Sequence, residues 1–279
     1  MRISGNTRRK LALKWFLPLA VGLVAAKIGL MFAQSHYWHA VNKAHFLTPI
    51  HCITLVHGIP AFACIALLIW LNGRLRNMDW RGTLRWIGFA RMDARQLMIA
   101  TTPFLVVATV YGLLVLIGVR IVWAPEIPAQ LYRIAIAVVF EEILFRGFIY
   151  RNLRVGRLYA WAGIMSALLF YAVHISNFVT SPTHDLMDAI VRPISYIGCG
   201  MALAYIYERG GYSIWGALLF HFCANLDQLA YIQWPGKLGR PGFFFLHVLD
   251  LCDLLQLIAP FIAYAIVDWI RARRHRHFK

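Results

Sequence analysis

Residues 131–150 read LYRIAIAVVFEEILFRGFIY. As a helix rising 1.5 Å per residue, this run spans about 30 Å, the thickness of a bilayer's hydrocarbon core. Seven further apolar runs reach a similar length: 11–33, 50–71, 97–119, 158–178, 187–207, 212–230 and 243–270. The chain has 279 residues, 60% of them hydrophobic and 14% charged. A soluble domain carries about 45–50% apolar and about 25% charged residues. This composition excludes a disordered chain, a small disulfide scaffold and an ordinary cytosolic enzyme. The expected fold is an all-α, polytopic transmembrane bundle of about eight spans. We read residues 1–279 as a single integral membrane domain with a motif-bearing core at about 131–230. The first run follows Arg8-Arg9-Lys10, but it is about twice the length of a signal-peptide apolar region and lacks a small-x-small cleavage site. It reads as a retained anchor.

Charge orients the bundle. The net charge is +16, and its basic residues cluster between the apolar runs. With a cytoplasmic N-terminus and alternating spans, 19 of the 28 Lys and Arg fall in inner segments and 4 in outer ones. That asymmetry follows the positive-inside rule and places both termini in the cytoplasm. The basic excess is therefore assigned to membrane loops and not to nucleic-acid binding. Residues 79–95 mix Trp80, Trp86, Ile87 and Phe89 with four arginines, and read as an amphipathic segment on the cytoplasmic surface. Cys52, Cys64, Cys199, Cys223 and Cys252 all lie in apolar runs without paired spacing, as buried thiols do. The outer stretch holding His36, His39, His45, His51 and His57 matches no standard metal-site spacing and is assigned to packing.

Ionisable groups deep in a span cost at least about 2.5–3.5 kcal/mol each, so they mark function by default. The 131–150 run holds Glu141, Glu142 and Arg146. At about 100° per residue, Glu142 and Arg146 share a helix face as an i,i+4 ion pair. Glu141 lies about 140° from Arg146 and faces elsewhere. It has no neutralising neighbour on its own helix, which suits a general base. Phe170 and His174 are four apart in the next span, so the ring packs on the imidazole and limits its rotation. His221 and Asn225 are also one turn apart. Their donors meet at a point where an oxyanion could develop, or they serve equally as hydrogen bonds between helices. A lone His174 reads more simply as a satisfied core histidine. Together these residues converge only around a polar cavity. Asp227, His247, Asp250 and Asp253 are assigned no catalytic part.

The ordered set Glu141-Glu142-x3-Arg146-Gly147, Phe170-x3-His174 and His221-x3-Asn225, with Ser213-Ile214-Trp215 leading into the last motif, resembles the CPBP (Abi) family of intramembrane proteases. That family comprises CAAX prenyl endopeptidases and bacteriocin-processing enzymes. The resemblance implies a glutamate-type intramembrane endopeptidase with no covalent intermediate and no cofactor. Under it, Glu141 and His174 activate a water, His221 and Asn225 hold the oxyanion, and Glu142 and Arg146 brace the site. It also implies a peptide or protein substrate within the lipid bilayer, prenylated or otherwise membrane-associated, cleaved near its C-terminus. The basic loops favour a bacterial inner membrane.

Two other readings compete. A zinc protease would use Glu141, His174 and His221 as ligands, although no HExxH motif is present. A non-catalytic transporter or scaffold of the same family would be marked by broken helices or an inverted repeat, and the sequence shows neither.

Overall fold

The computed structural model describes residues 5–42, 48–155, 159–180, 186–233 and 248–277. The described parts of the apolar runs are mostly helical, although the run 212–230 leaves its α-helix at Ala224 for a 3-10 turn and a strand. α1 is Gly5–Asn42. α2 (Pro49–Ile53) continues through a π-helical turn, Thr54–Gly58, into α3 (Ile59–Arg76). Thr48 caps this helix and Pro49 opens it, where a missing N–H costs nothing. α4 (Trp80–Ile87), α5 (Ala94–Ala100) and α6 (Thr102–Leu116) follow. α7 (Ile127–Glu142) passes unbroken through π turns at Ile143–Tyr150 into α8 (Arg151–Arg154). α9 is Ala162–Thr180, α10 Leu186–Arg209, α11 Ile214–Ala224 and α12 Val248–His277.

By length and composition, Phe16–Gln34, Pro49–Arg76 and Ala94–Leu116 can each cross a membrane. Shorter apolar helices lie at Ala162–Ile175, Ile214–Ala224 and Leu254–Ile270. Large apolar side chains stand on the outside of the bundle, Leu116 at 82% exposure among them. In water that surface would be a liability, whereas in acyl chains it is the expected exterior. The protein is a predominantly helical integral membrane protein.

Three features depart from the sequence expectation. The all-α bundle also carries a two-stranded antiparallel ribbon, β1 (Arg120–Trp123) with β2 (Ala230–Gln233), which sets Arg120 opposite Gln233 and Trp123 opposite Ala230. Ile121, Val122 and Trp123 are strong strand formers, and the ribbon satisfies backbone groups that would otherwise be unpaired between helices. The expected amphipathic segment, 79–95, is helical over α4 and again from Ala94, where α5 begins, and between them Gly88 turns left-handed with φ +111°. Trp86 is half-buried. It lies between the guanidinium groups of Arg76 and Arg151, 4.5 and 4.6 Å from the ring. Finally, α9 starts at Ala162, four residues later than the sequence suggested. His174 therefore sits about 18 Å along its helix, and not about 24 Å, which brings it toward the level of Glu141.

The core forms where α7 and its π turns meet α9, α10 and α11. Phe145, Phe148, Phe170 and Phe220 are buried there around Arg146, which is itself fully buried. Two glycines permit the close approach. A Cβ on Gly147 would stand 2.5 Å from Ile87 Cγ2, and one on Gly200 would stand 2.8 Å from the Cα of Ala167. At Gly200 the obstruction is backbone, so α9 and α10 can touch only because no side chain intervenes. Cys52 and Cys223 are buried free thiols, and Cys64 and Cys199 are half-buried free thiols. The side chains of His36, His39, Asp227, Asp250, Cys252 and Asp253, and residues His45 and His247, lie outside the described residues.

Candidate active site

Glu141 and Glu142 are the last two residues of α7 before the helix widens to π geometry. Such π turns are rare and recur at functional sites. A π turn holds more residues than an α turn, but a four-residue step still returns near the same face. Arg146 Nη1 thus reaches Glu142 Oε1 at 3.1 Å, with both side chains completely buried. Arg146 Nη2 donates to the Gly200 carbonyl at 3.2 Å, and the guanidinium lies 4.8 Å from the Phe170 ring. The charge pair therefore ties α7 to α9 and α10.

Glu142 has a second partner. His221, on α11, places Nδ1 2.8 Å from the same oxygen, Glu142 Oε1. A carboxylate oxygen paired with an arginine accepts, so the Nδ1 proton is the imidazole's and is donated to Glu142. Sequence spacing pointed only to the pair with Arg146. The structure shows Glu142 also fixing the ring of His221, a role typical of a carboxylate behind a working histidine.

Glu141 faces the other way, as the helix angle required. Its Oε2 lies 4.0 Å from His174 Nε2 and 3.9 Å from His221 Nε2. His174 Nδ1 is 2.8 Å from the Phe170 carbonyl. A carbonyl only accepts, so Nδ1 carries the proton and Nε2 presents a lone pair toward Glu141. Phe170 packs on His174 with ring centroids 4.6 Å apart, and Tyr196 stacks on it at 4.3 Å. The imidazole thus contacts two aromatic rings, of which the sequence identified one.

One expectation is corrected. Glu141 does not lack a neutralising charge, because Lys27 on α1 places Nζ 3.1 Å from Glu141 Oε1. The ammonium also lies 4.7 Å from the Phe140 ring centroid. Its signal in the sequence was its position inside an apolar run, the same mark that singled out the glutamates. The two oxygens of Glu141 thus divide: Oε1 to the lysine and Oε2 to the histidine pair.

Asn225 is placed differently from these. α11 ends at Ala224, so Asn225 becomes its C-cap, with the backbone N–H bonded to the His221 carbonyl. Its side-chain Oδ1 accepts from Gln228 Nε2 at 3.1 Å. Among the described residues, no group of three or more His, Cys, Asp or Glu is arranged to hold a metal ion.

A cavity of about 560 Å³ reaches Glu141 and Lys27 from one end of the bundle. It runs between α1, the α2–α3 helix and α7, and its walls include Gln34, His57, Glu126, Gln130 and Arg133. A volume near 560 Å³ falls within the roughly 300–1,000 Å³ usual for ligand sites.

Residues 122–226 match the family model described as Rce1-like, type II CAAX prenyl endopeptidase. No curated protein and no solved structure matches the chain. The matched stretch contains Glu141, Glu142, Arg146, Phe170, His174, His221 and Asn225, whereas Lys27 and the α2–α3 wall of the cavity lie outside it. Over residues 122–226, less than half of its length, this chain is similar to the Rce1-like family.

Proposed function

We propose that this protein is a glutamate-type intramembrane endopeptidase, and that Glu141 with His174 activates the attacking water. The observation that carries the reading is the convergence of Glu141 Oε2 on two imidazole Nε2 atoms at 4.0 and 3.9 Å. That spacing is too long for a direct hydrogen bond and suits a bridging water bonded at about 2.8 Å to each side. Such a water donates one proton toward Glu141 Oε2 and the other toward His174 Nε2, leaving an oxygen lone pair for the peptide carbonyl. Glu141 takes the proton as the C–O bond forms. The developing oxyanion is met by His221, whose protonated form Glu142 supports through Nδ1, and by the Asn225 amide. Proton return to the amine breaks the C–N bond and restores Glu141. Arg146 and Phe170 hold this arrangement, and no metal or cofactor takes part.

The substrate we propose is a peptide or protein tail within the membrane, prenylated or otherwise apolar, cleaved near its C-terminus. A second cavity of about 560 Å³, lined by Leu97, Val138, Trp215, Leu218 and Phe222, offers an apolar surface beside α7 that suits such a chain. We also propose eight spans, cytoplasmic termini, a single domain over 1–279 and a bacterial inner-membrane home. The β1–β2 ribbon supports that topology. The rule of alternating spans puts 120–130 and 231–242 on one face, and the strands within and beside them pair directly.

Mass spectrometry of membrane peptides from cells carrying Glu141→Gln, compared with wild type, tests the function. Uncut C-terminal peptides should accumulate in the variant. Identical peptide profiles would contradict the proposal.

A further inference from the structure

Away from the glutamates, the start of α5, the end of α10 and the later turns of α12 enclose a small cavity of about 150 Å³. Its lining includes Asp93, Arg95, Gln96, Arg209, Tyr264 and Asp268. Asp93 caps α5, with Oδ1 accepting from the Arg95 backbone N–H at 3.3 Å. Arg209 Nη2 is paired with Asp268 Oδ2, which ties α10 to α12, and its guanidinium lies 5.2 Å from the Tyr264 ring centroid. Two side chains of this wall carry a buried polar atom with no partner, the Tyr264 hydroxyl and Gln96 Oε1. Both residues are buried, at 4% and 6% exposure. An unsatisfied buried group costs about 1–3 kcal/mol. Arg209, Arg95 and Asp93 all act on the Tyr264 hydroxyl, so the charges and the unpartnered group share one place. Such a wall is built for a polar occupant.

The charges say which occupant. A plain anion would meet two carboxylates there, and a plain cation two guanidiniums. A group carrying both charges satisfies both pairs. The volume is below the roughly 300–1,000 Å³ that encloses a whole small molecule, so it suits a headgroup whose chains remain outside. Met98, Ile266 and Trp269, next in sequence to the lining, are large, apolar and exposed, as contacts with acyl chains require. On the proposed topology, 72–96, 208–211 and 271–279 all face the cytoplasm, which sets the cavity at the inner headgroup layer. We infer that this cavity binds the phosphoethanolamine group of a membrane lipid. Arg95, Arg209 and the Tyr264 hydroxyl take the phosphate, and Asp93 and Asp268 take the ammonium.

The test is native mass spectrometry of the purified full-length protein in detergent. The probes are phosphatidylethanolamine, phosphatidylcholine and phosphatidylglycerol with identical acyl chains. Choline has no N–H to donate, so ethanolamine lipid should be retained about tenfold more, the value of one charge-assisted bond. Asp93→Asn with Asp268→Asn keeps the α5 cap and should bring that ratio toward one. Arg95→Gln should lower retention of ethanolamine and choline lipid alike. Equal retention of the two by the wild type, a preference for phosphatidylglycerol, or an ethanolamine preference that survives the double substitution would each overturn the inference. Millimolar glycerophosphoethanolamine, which has the headgroup and no chains, should leave the lipid in place. Displacement by it would uphold the chemistry of the site and assign it to a soluble ligand.

Discussion

Lys27 Nζ of α1 lies 3.1 Å from Glu141 Oε1 of α7, with the two side chains 10% and 9% exposed. The contact joins the N-terminal helix, outside the family-matched stretch, to the residue at the centre of the proposed chemistry. It also fixes which oxygen of Glu141 remains for the histidines. Removing one partner of a buried pair leaves an uncompensated charge, at a cost of about 3–5 kcal/mol. Lys27→Met should lower thermal stability on that scale. Lys27→Met combined with Glu141→Gln should recover much of the loss, because no charge is then stranded. Additive losses in the thermal-unfolding cycle would show that the pair is not coupled.

Glu142 holds two cationic or protonated partners on one oxygen, Arg146 at 3.1 Å and His221 at 2.8 Å. Arg146→Ala strands a fully buried carboxylate and removes the bond to the Gly200 carbonyl. It should destabilise the protein by about 3–5 kcal/mol in a denaturant or thermal assay. A variant as heat-stable as wild type would remove the bracing role of Arg146.

The α9–α10 contact depends on the absence of a side chain at Gly200. A Cβ there meets the Ala167 backbone at 2.8 Å, and the Gly200 carbonyl is the acceptor for Arg146. Gly200→Ala must part the two helices, and overpacking of this kind costs about 1–3 kcal/mol. His174 on α9 shifts with them, so peptide cleavage should fall more steeply than stability. Unchanged cleavage and melting would show that this close approach is not needed.

The sequence was read well where periodicity and bilayer thickness decide the outcome. The predominantly helical fold, the shared face of Glu142 and Arg146, and the opposed face of Glu141 all follow from helix geometry acting within one segment. What lay beyond reach depended on contacts between segments. Lys27 was visible as a charge inside an apolar run, but only packing reveals that it meets Glu141 across 114 residues. Glu142 as the partner of His221, and Tyr196 stacked on His174, are likewise products of tertiary assembly. The π turns after Glu142 and the β1–β2 ribbon are local features, yet nothing in residue composition distinguishes a π turn from the α-helix it interrupts.

Metal dependence separates the proposed chemistry from the zinc alternative. Hydrolysis by the purified protein should persist after treatment with a strong chelator and should not rise when Zn²⁺ is added back. Loss in chelator with recovery on Zn²⁺ would assign Glu141, His174 and His221 as ligands instead.

The most direct test of the account is hydrolysis of an apolar C-terminal peptide by purified wild type, Glu141→Gln and His174→Ala, with thermal unfolding run alongside. Glutamine keeps the shape of the side chain but cannot take a proton from water. The account predicts that Glu141→Gln, though less stable because it strands the Lys27 ammonium, still folds and abolishes cleavage, and that His174→Ala lowers it by about a hundredfold or more. A folded Glu141→Gln protein that still cuts the peptide at the wild-type rate would contradict it.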